Sequence, residues 1–403
     1  MIFPDIRAFI ETHITRRKVS IMQSDLLQHQ DQLRMEIEGR SVLVIGGAGT
    51  IGMAFIREIL AFHPGRLYVV DTNENGLTEL TRDLRSTHQQ FIPAEYKTYP
   101  MNFGDDVFRK MVTQEGPFDI VANFAAHKHV RSEKDHYAVE AMLDNNVFKT
   151  KQLLEFLQRH PPLHFFCVST DKATHPVNVM GASKKLMEET LMAYSREFKI
   201  STARFANVAF SNGSLLDGYP ERIKKKQPLS CPEDVYRYFV SPEESGQICL
   251  LACILGRSGD IFFPKLTPGD MIGFKSITLD FIRMLGMEVQ ICKTEEEAKQ
   301  VSGQRAEDDP YPVYFFASET SGEKLFEEFY GEEDTVEMDH FSGLGIIRNP
   351  ARYSIQQMQT CLNELSVILQ DPKVDKAAIV AAITRAIPDF THKETGINLD
   401  QKM

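Results

Sequence analysis

The chain has 403 residues, of which 42% are hydrophobic and 27 are phenylalanine, so it can bury a large core. This length predicts two domains, or one large α/β domain with attached segments. The 45 Lys and Arg residues against 56 Asp and Glu residues give a formal net charge of −11. That charge argues against electrostatic binding to nucleic acid or to anionic lipid.

The cysteines and the apolar runs indicate the compartment. Six cysteines are scattered without a CxxC pair, and no secretory leader is recognisable, so we expect reduced thiols in a cytoplasmic protein. Cys249 and Cys253 have i, i+4 spacing, but no further Cys/His pair supplies the other ligands of a metal site. No apolar run approaches the roughly 18 residues of a membrane span. A soluble protein without a bound metal is expected.

The amino-terminal half alternates between short apolar runs and helical periods. Residues 1–38 have apolar positions at roughly helical spacing and predict an N-terminal helical extension that packs on the body or on another subunit. Strands are then predicted at 42–45, 67–70, 95–99, 118–123, 163–168 and 201–205. Helical segments between them predict a doubly wound parallel sheet covered on both faces, a Rossmann-type α/β domain over 39–210.

The second half is less regular. A Gly/Ser/Asn-rich loop and several proline-rich joins follow the sixth strand. Ligands of such sheets lie beyond the carboxyl ends of the strands, so we expect a smaller substrate-binding region over 211–340, from which the chain can re-enter the sheet. Residues 341–403 contain helical periods at 355–369 and 377–386 and predict a C-terminal helical extension.

A glycine-rich loop joins the first strand to the following helix. Its GxxGxxG spacing comes from Gly46, Gly49 and Gly52, and Thr50 and Ile51 lie within it as further candidate cofactor contacts. Glycines allow bare backbone to approach a pyrophosphate at a helix N-terminus, where unpaired N–H groups favour anions. Such turns also serve structural purposes alone, but the flanking strand and helix favour a dinucleotide site.

Two aspartates extend this predicted site. Asp71 ends the second strand, where a carboxylate can bind the adenosine ribose hydroxyls and would repel a 2′-phosphate, so the expected cofactor is NAD rather than NADP. The glycine spacing is typical of the short-chain dehydrogenase/reductase version of the fold. Asp105 follows the third strand, either as an adenine contact or as the N-cap of a helix over 106–113, and the two roles are compatible.

Polar side chains follow the fifth strand. In short-chain dehydrogenases this strand delivers a Ser or Thr, and the next helix a Tyr-x-x-x-Lys pair in which Tyr accepts a proton and Lys holds the nicotinamide ribose. Met180 and Lys184 occupy the two positions of that pair. A thioether cannot exchange a proton, so this protein uses another base or is not an active dehydrogenase.

The neighbouring residues offer another base. Asp171 and Lys172 follow Thr170 and provide a proton acceptor and a proton donor whose pKa values depend on burial and on each other. The structural alternative is a strand terminus with an Asx turn into His175-Pro176.

The segments 169–173 and 176–184 together resemble the UDP-N-acetylglucosamine 4,6-dehydratases of bacterial polysaccharide biosynthesis, in particular the branch with Met in place of Tyr. Further matches lie at 125–130, 204–208, 213–214 and 237–239. The resemblance covers about residues 40 to 265. Residues 131–134 depart from it, because the family usually has Pro and apolar residues there.

The resemblance implies a mechanism with NAD as cofactor and a UDP-N-acetylhexosamine as substrate. Asp171, helped by Thr170, would accept the C4 hydroxyl proton during oxidation, and Lys172, if neutral, would remove the C5 proton. Asp171 would then protonate the departing C6 oxygen, and reduction at C6 would leave no net redox change. Lys184 would hold the nicotinamide ribose. Asp171 and Lys172 titrate as a pair, so their division of labour stays open.

Other motif residues are candidates for the ligands. Ala125 is expected at the cofactor, and Lys128 at the sugar or nicotinamide end or, alternatively, as a structural lysine at the strand end. Asn207, Ser214 and Arg237 are candidates for the UDP diphosphate and uridine. The guanidinium fork suits phosphate, although a surface salt bridge is the alternative for Arg237.

Two other functions are compatible with the sequence. A nucleotide-sugar epimerase would use the same oxidation but relies on the missing Tyr, and product mass separates it from a dehydratase. A non-catalytic NAD-binding scaffold would explain Met180 as lost catalysis, against the intact Asp171 and Lys172. A homo-oligomer is expected.

Overall fold

One sheet dominates the molecule. The computed structural model describes residues 5–130, 133–318, 324, 326–348 and 351–392. Its strands are Ser41–Ile45 (β1), Arg66–Asp71 (β2), Glu95–Pro100 (β3), Ile120–Asn123 (β4), His164–Thr170 (β5), Ile200–Phe205 (β6), Asn207–Val208 (β7), Leu229–Pro232 (β8), Tyr236–Arg237 (β9), Phe239–Val240 (β10), Asp260–Pro264 (β11), Ile272–Gly273 (β12), Val289–Cys292 (β13), Tyr311–Phe316 (β14), Val336–Glu337 (β15) and Leu344–Ile347 (β16).

The helices surround that sheet. They are Ile6–Phe9 (α1, continued by a π-helical turn Ile10–Ile14), Gln23–Gln28 (α2), Gln30–Ile37 (α3), Thr50–Leu60 (α4), Glu74–Ser86 (α5), Asp106–Glu115 (α6), His136–Leu143 (α7), Lys149–Leu157 (α8), Val179–Tyr194 (α9), Gly218–Lys224 (α10), Pro242–Leu255 (α11), Phe274–Met284 (α12), Glu295–Gln304 (α13), Ile355–Leu369 (α14) and Lys376–Ala386 (α15). A π-helical segment, Asp144–Phe148, joins α7 to α8.

The sheet order confirms the predicted doubly wound fold. Nine of the described strands form the sheet β15-β16-β11-β6-β5-β4-β1-β2-β3. The strands β1–β6 and β11 run parallel, whereas β16 and β15 add an antiparallel edge. The chain therefore re-enters the sheet at β11, within the segment expected to bind substrate. The central strands β1, β4, β5, β6 and β11 are almost fully buried, as parallel strands covered on both faces require, whereas the edge strand β3 is polar and half-buried.

The carboxyl ends of β1, β4 and β5 lie side by side. Ile45 is in register with Asn123, and Asn123 with Cys167. The fifth strand is longer than the predicted 163–168, because Ser169 and Thr170 pair with β6. The polar run that follows the strand thus begins inside the sheet, on the same edge as the glycine loop. This edge is where doubly wound sheets bind ligands.

The amino-terminal helices pack on the body of their own chain. Phe9 contacts Phe281 with ring centroids 5.6 Å apart. Arg17 donates two hydrogen bonds of 3.1 Å to the Glu244 carboxylate. Asp25 accepts hydrogen bonds from the backbone amides of residues 342 and 343 at 2.6 and 2.8 Å. These contacts agree with packing on the body, the first of the two expected partners.

The carboxy-terminal helices cover α9. Residues of α14 and α15 form one apolar cluster with α7 and α9, and all sixteen residues of α9 are buried. Met180 belongs to this cluster. Within the described residues, no helix combines the length and the apolar character of a membrane span.

Candidate active site

The glycine loop approaches its neighbours closely at two of three positions. Gly46 has φ +75°, and a Cβ there would lie 2.5 Å from the Ala125 nitrogen. A Cβ at Gly52 would lie 2.4 Å from the Gly46 oxygen, whereas at Gly49 the nearest atom would be 3.5 Å away. Gly46 and Gly52 are thus needed for chain packing itself. Gly49 has room for a Cβ and lines the cleft with bare backbone, which is the feature a bound pyrophosphate needs.

Asp71 holds this loop against β2. Its Oδ2 accepts a hydrogen bond of 2.9 Å from the Ala48 amide, and its Oδ1 accepts one of 2.9 Å from the Asn73 amide. Each carboxylate oxygen has two lone pairs, so both can still accept a ribose hydroxyl. The sequence predicted the ribose contact but gave no sign that this side chain also fixes the loop.

A cleft of about 280 Å³ opens beside the loop. Its lining comprises Ile45, Gly46, Gly49, Thr50, Ile51, Gly52, Val70, Asp71, Thr72, Met101, Asn102, Phe103, Phe124, Ala125, Ala126, His127, Lys128, Asn145 and Asn212. Eight predicted residues, the five of the loop with Asp71, Ala125 and Lys128, are therefore brought together. Apolar walls, bare backbone and one carboxylate are a donor and acceptor set that fits the adenosine and pyrophosphate of a dinucleotide.

Asp105 does not line this cleft. Its carboxylate is exposed and accepts a hydrogen bond of 3.1 Å from the Asn102 amide. The residue does occupy the N-cap position of α6, but its side chain makes no capping hydrogen bond to the first turn. Met101, Asn102 and Phe103 lie at the cleft instead, three to five residues from the predicted helix start. The sequence alone did not indicate which of the residues 101–105 would line the cleft.

The polar end of β5 forms a short hydrogen-bonded cluster. Thr170 Oγ1 donates to Asp171 Oδ1 at 2.9 Å, and Lys172 Nζ donates to the same oxygen at 3.0 Å. A single 3-10 turn over Asp171–Ala173 follows the strand and presents both ionic side chains on one side. The three predicted residues are thus in direct contact.

Glu327 is a fourth member that the sequence analysis missed. Its Oε1 lies 3.6 Å from Lys172 Nζ, and the side chain is 4% exposed. Burial raises the pKa of Glu327, and the Lys172 charge opposes this effect. The residue lies in an irregular segment without a motif, more than 150 positions along the chain from Lys172. Only the fold brings it to the strand end.

The cluster favours a charged lysine. Burial alone would lower the pKa of Lys172, but the charges of Asp171 and Glu327 more than offset burial, so its pKa lies above the ordinary value. Arg237 is close enough to oppose that effect. Lys172 is therefore an ammonium near neutral pH, and the neutral form expected for removal of the C5 proton is disfavoured in this arrangement.

Lys184 and Met180 lie deeper than the strand end. Lys184 Nζ donates a hydrogen bond of 2.9 Å to the Val168 carbonyl, and burial lowers its pKa. Met180 is 2% exposed and packs in the apolar cluster between α9 and the carboxy-terminal helices. The Met180 thioether is thus part of this apolar core. Neither residue belongs to the cleft lining described above.

A buried ion pair between Arg204 and Glu188 contacts the carboxyl end of β5. Arg204 Nε and Nη2 donate to Glu188 at 3.0 and 2.9 Å, and Ser169 Oγ donates to Glu188 at 2.6 Å. Burial would raise the pKa of Glu188, but the guanidinium holds it below its usual range. Arg204 Nη1 also donates to Thr174 Oγ1 at 3.0 Å, which ties the turn after Lys172 to β6.

Arg237 and Ser214, two of the candidates for binding the uridine and the diphosphate, lie in different surroundings. Arg237 is 5% exposed, donates to the Tyr236 carbonyl at 2.8 Å and lies near Lys172 and Glu327, so it is no surface residue. Ser214 Oγ accepts a hydrogen bond of 3.2 Å from Asp217 in the loop after β7.

Lys128 lines the cleft, whereas Asn207 does not. Asn207 begins β7, where its amide donates to the Tyr238 carbonyl at 3.0 Å. Lys128 is exposed at the cleft. The loop after β7 reaches the glycine loop, because the Asn212 amide donates to Thr50 Oγ1 at 2.9 Å. Of the departing segment 131–134, residues 131 and 132 lie outside the described residues.

Known structures confirm the fold, a Rossmann-type doubly wound parallel sheet with flanking helices. Pen from Bacillus thuringiensis has a TM-score of 0.64 at 19% identity, covering 79% of this chain and 90% of its own. DesIV from Streptomyces venezuelae, a dTDP-glucose 4,6-dehydratase with NAD and TYD bound, has a TM-score of 0.55 at 19% identity, covering 72% and 88%. At these identities the likeness establishes the fold.

Sequence comparison identifies the family. Residues 42–348 match the family described as polysaccharide biosynthesis protein, and the chain belongs to it. An uncharacterized membrane protein of Methanocaldococcus jannaschii is 30% identical over 314 residues, 76% of this chain and 85% of that protein. The resemblance noted in the sequence is thereby confirmed at the level of this family.

Two other relatives differ in coverage. The probable polysaccharide biosynthesis protein EpsC of Bacillus subtilis is 28% identical over 298 residues, 73% of this chain, and the chain spans only 48% of its length. The UDP-glucose 4-epimerase of Rickettsia canadensis is 26% identical over 353 residues, 83% of this chain and 98% of that enzyme.

Proposed function

We propose that the protein is an NAD-dependent 4,6-dehydratase that acts on UDP-N-acetylglucosamine. The observation behind the proposal is the cluster of Thr170, Asp171 and Lys172 at the end of β5, on the sheet edge that also holds the glycine loop. Removing water across two carbons needs groups that accept protons and groups that donate them. This cluster has both within 3.0 Å of one oxygen.

The proposal of NAD rests on the cleft and on the fold class. Gly49 offers open backbone, and Asp71 keeps lone pairs for ribose hydroxyls while its charge would repel a 2′-phosphate. A solved dehydratase of the same fold holds NAD. Bound NAD would supply reversible oxidation at C4 of the sugar and the matching reduction at C6.

The chain's own residues would manage the protons. Asp171 accepts the C4 hydroxyl proton, either directly or through the Thr170 hydroxyl that already donates to it. Lys172, as an ammonium, stabilises the carboxylate and the oxygen that develops negative charge at C4. Arg237 and the loop from Asn207 to Ser214 provide donors for the diphosphate.

Product mass tests the proposal. Purified protein with NAD and UDP-N-acetylglucosamine should give a nucleotide sugar lighter by one water, detected by mass spectrometry. Asp171→Asn should lower the rate at least about a hundredfold, because the C4 proton loses its acceptor. Asp106→Asn is the matched control, since that side chain is 97% exposed. Unchanged substrate with every UDP-N-acetylhexosamine would overturn the proposal.

A 4-epimerase is the second candidate, favoured by the relative in Rickettsia canadensis that the chain covers almost completely. The position where such enzymes place their tyrosine holds Met180, buried in an apolar cluster. The same assay separates the two reactions, because epimerisation leaves the mass of the sugar unchanged.

A further inference from the structure

Glu327 shares Lys172 with Asp171. Lys172 Nζ is 3.0 Å from Asp171 Oδ1 and 3.6 Å from Glu327 Oε1, so the ammonium lies between two carboxylates. The exposed fractions of the Asp171 and Glu327 side chains are only 3% and 4%. Asp171 and Glu327 are thus two buried carboxylates that share one ammonium, with Arg237 nearby as a further cation.

One oxygen of Glu327 is left without a partner. Among the described residues, no hydrogen-bond donor reaches its buried Oε2. A buried acceptor without a donor is unfavourable, so this oxygen needs an explanation, and a role as proton acceptor supplies one. The adjacent Glu328 is exposed. Of the adjacent pair Glu327 and Glu328, only Glu327 is turned inward to the lysine.

The charges divide the proton transfers between these groups. An ammonium can donate a proton but cannot accept one, and Lys172 is held protonated by its two carboxylates. A carboxylate without a second hydrogen bond can accept a proton from carbon once a neighbouring ketone has acidified it. Burial raises the pKa of Glu327, which makes it a stronger proton acceptor, and Arg237 and Lys324 are the other cations near it that oppose this rise.

We propose that Glu327 is the base that removes the C5 proton, and that protonated Lys172 is the acid at the C6 oxygen. This inference rests on the proposed dehydratase function. It reverses the role that the sequence resemblance implied for Lys172, and it adds a catalytic residue from a segment outside the strand-end motif.

The proton balance closes within the cluster. Oxidation at C4 leaves the hydroxyl proton on Asp171. The C5–H bond then breaks toward Glu327, its electrons form the C5–C6 double bond as the C6–O bond breaks, and Lys172 protonates the departing oxygen to give water. Reduction at C6 is matched by return of the Glu327 proton to C5. Asp171 reprotonates Lys172 across their hydrogen bond of 3.0 Å.

Deuterium exchange at C5 isolates the step. The 4-keto-6-deoxy product, made with the wild-type enzyme, is incubated in deuterated water with each variant, and C5 deuterium is followed by NMR. We expect Glu327→Gln to slow exchange at least about a hundredfold, and Glu328→Gln to match wild type. Lys172→Gln should keep exchange within about tenfold of wild type while losing dehydration of UDP-N-acetylglucosamine.

The outcomes separate the two proposals. If the wild-type enzyme dehydrates no UDP-N-acetylhexosamine, the proposed function fails. If it dehydrates the sugar but Glu327→Gln exchanges C5 at the wild-type rate, only the Glu327 assignment fails, and loss of exchange in Lys172→Gln would overturn it too. Glu327→Asp controls for folding: it retains a carboxylate, and we expect exchange above that of Glu327→Gln at an equal melting temperature.

Discussion

Glu133 Oε2 accepts a hydrogen bond of 2.6 Å from the amide of Val179, the first residue of α9. Its other oxygen accepts from His392 and lies 3.6 Å from Lys376 Nζ. Glu133 belongs to the segment that departs from the family resemblance. The departure therefore supplies a negative charge at the N-terminus of α9 and a link to the carboxy-terminal extension.

Loss of the Glu133 charge should destabilise this junction. We expect Glu133→Gln to lower the free energy of unfolding by about 1–2 kcal/mol, because a charged hydrogen bond at a helix N-terminus becomes a neutral one. Urea denaturation measures the change. Glu79→Gln is the control: its side chain is 69% exposed, and a change under about 0.5 kcal/mol is expected there. Equal effects of the two substitutions would contradict the role of Glu133.

Substitution by alanine should lower the stability of the fold at Gly52 and the affinity for NAD at Gly49. A Cβ at Gly52 would lie 2.4 Å from a backbone oxygen, so we expect Gly52→Ala to destabilise the fold by about 1–3 kcal/mol. At Gly49 the nearest atom is 3.5 Å away, so Gly49→Ala should leave the melting temperature unchanged and weaken NAD binding at least about tenfold.

Thermal unfolding without cofactor and calorimetric titration with NAD distinguish these effects. A Gly49→Ala variant that binds NAD as tightly as wild type would show that the pyrophosphate does not lie on this loop. A Gly52→Ala variant of wild-type stability would show that the loop can shift away from the added methyl group.

Glu58 should make stability depend on pH. Burial raises the pKa of this α4 carboxyl to about 7, with repulsion from Glu243 as a further cause, and a hydrogen bond from Gln247 opposes them. The folded protein therefore holds the proton more tightly than the unfolded chain, whose ordinary value is 4.5. This stabilisation is complete below pH 4.5 and is lost as the pH rises through 7.

The expected loss between these two pH values is about 1–3 kcal/mol, after allowance for partial exposure. Glu58→Gln should remove this part of the pH dependence and be more stable than wild type at pH 8. Urea denaturation of both proteins between pH 5 and pH 8 measures the two slopes. Identical slopes would contradict the assignment to Glu58.

The features that depend on residues close together in the sequence could be predicted from it. Most of the strands β1–β6 follow from short apolar runs, with the polar edge strand β3 as the exception, and the fold they form is confirmed. The close contact of Thr170, Asp171 and Lys172 follows from adjacency at a strand end. These features need only local periodicity and the rule that parallel strands end at one edge.

The features that depend on contacts between distant parts of the chain could not be predicted from the sequence. Glu327 reaches Lys172 from an irregular segment, so the sequence offered no signal for it, and the raised pKa of Lys172 was equally hidden because it depends on that contact. Met180 was expected at the reacting end of the site, yet it packs under helices that follow it by more than 170 residues. Asn102 lines the cleft, whereas Asp105 accepts a hydrogen bond from the Asn102 amide and does not line it.

Lys184 should combine a stability cost with cofactor binding. Burial lowers its pKa, so the folded protein holds the proton less tightly than the unfolded chain does. The cost is therefore complete below the lowered pKa and fades as the pH rises toward 10.5, the ordinary value. Lys184→Met removes the charge at similar length, and we expect unchanged or higher stability at pH 7, by up to about 1–2 kcal/mol.

The same substitution should weaken NAD binding at least about tenfold, because the ribose hydroxyls lose a donor. Lys185→Met is the matched control: Lys185 pairs with Glu189 at 3.2 Å. Its loss should lower stability by leaving a buried carboxylate unpaired, and NAD binding should stay unchanged. Urea denaturation and calorimetric titration at pH 7 give both quantities. If Lys184→Met lowers stability by more than about 2 kcal/mol, the hydrogen bond to Val168 outweighs the burial of the charge.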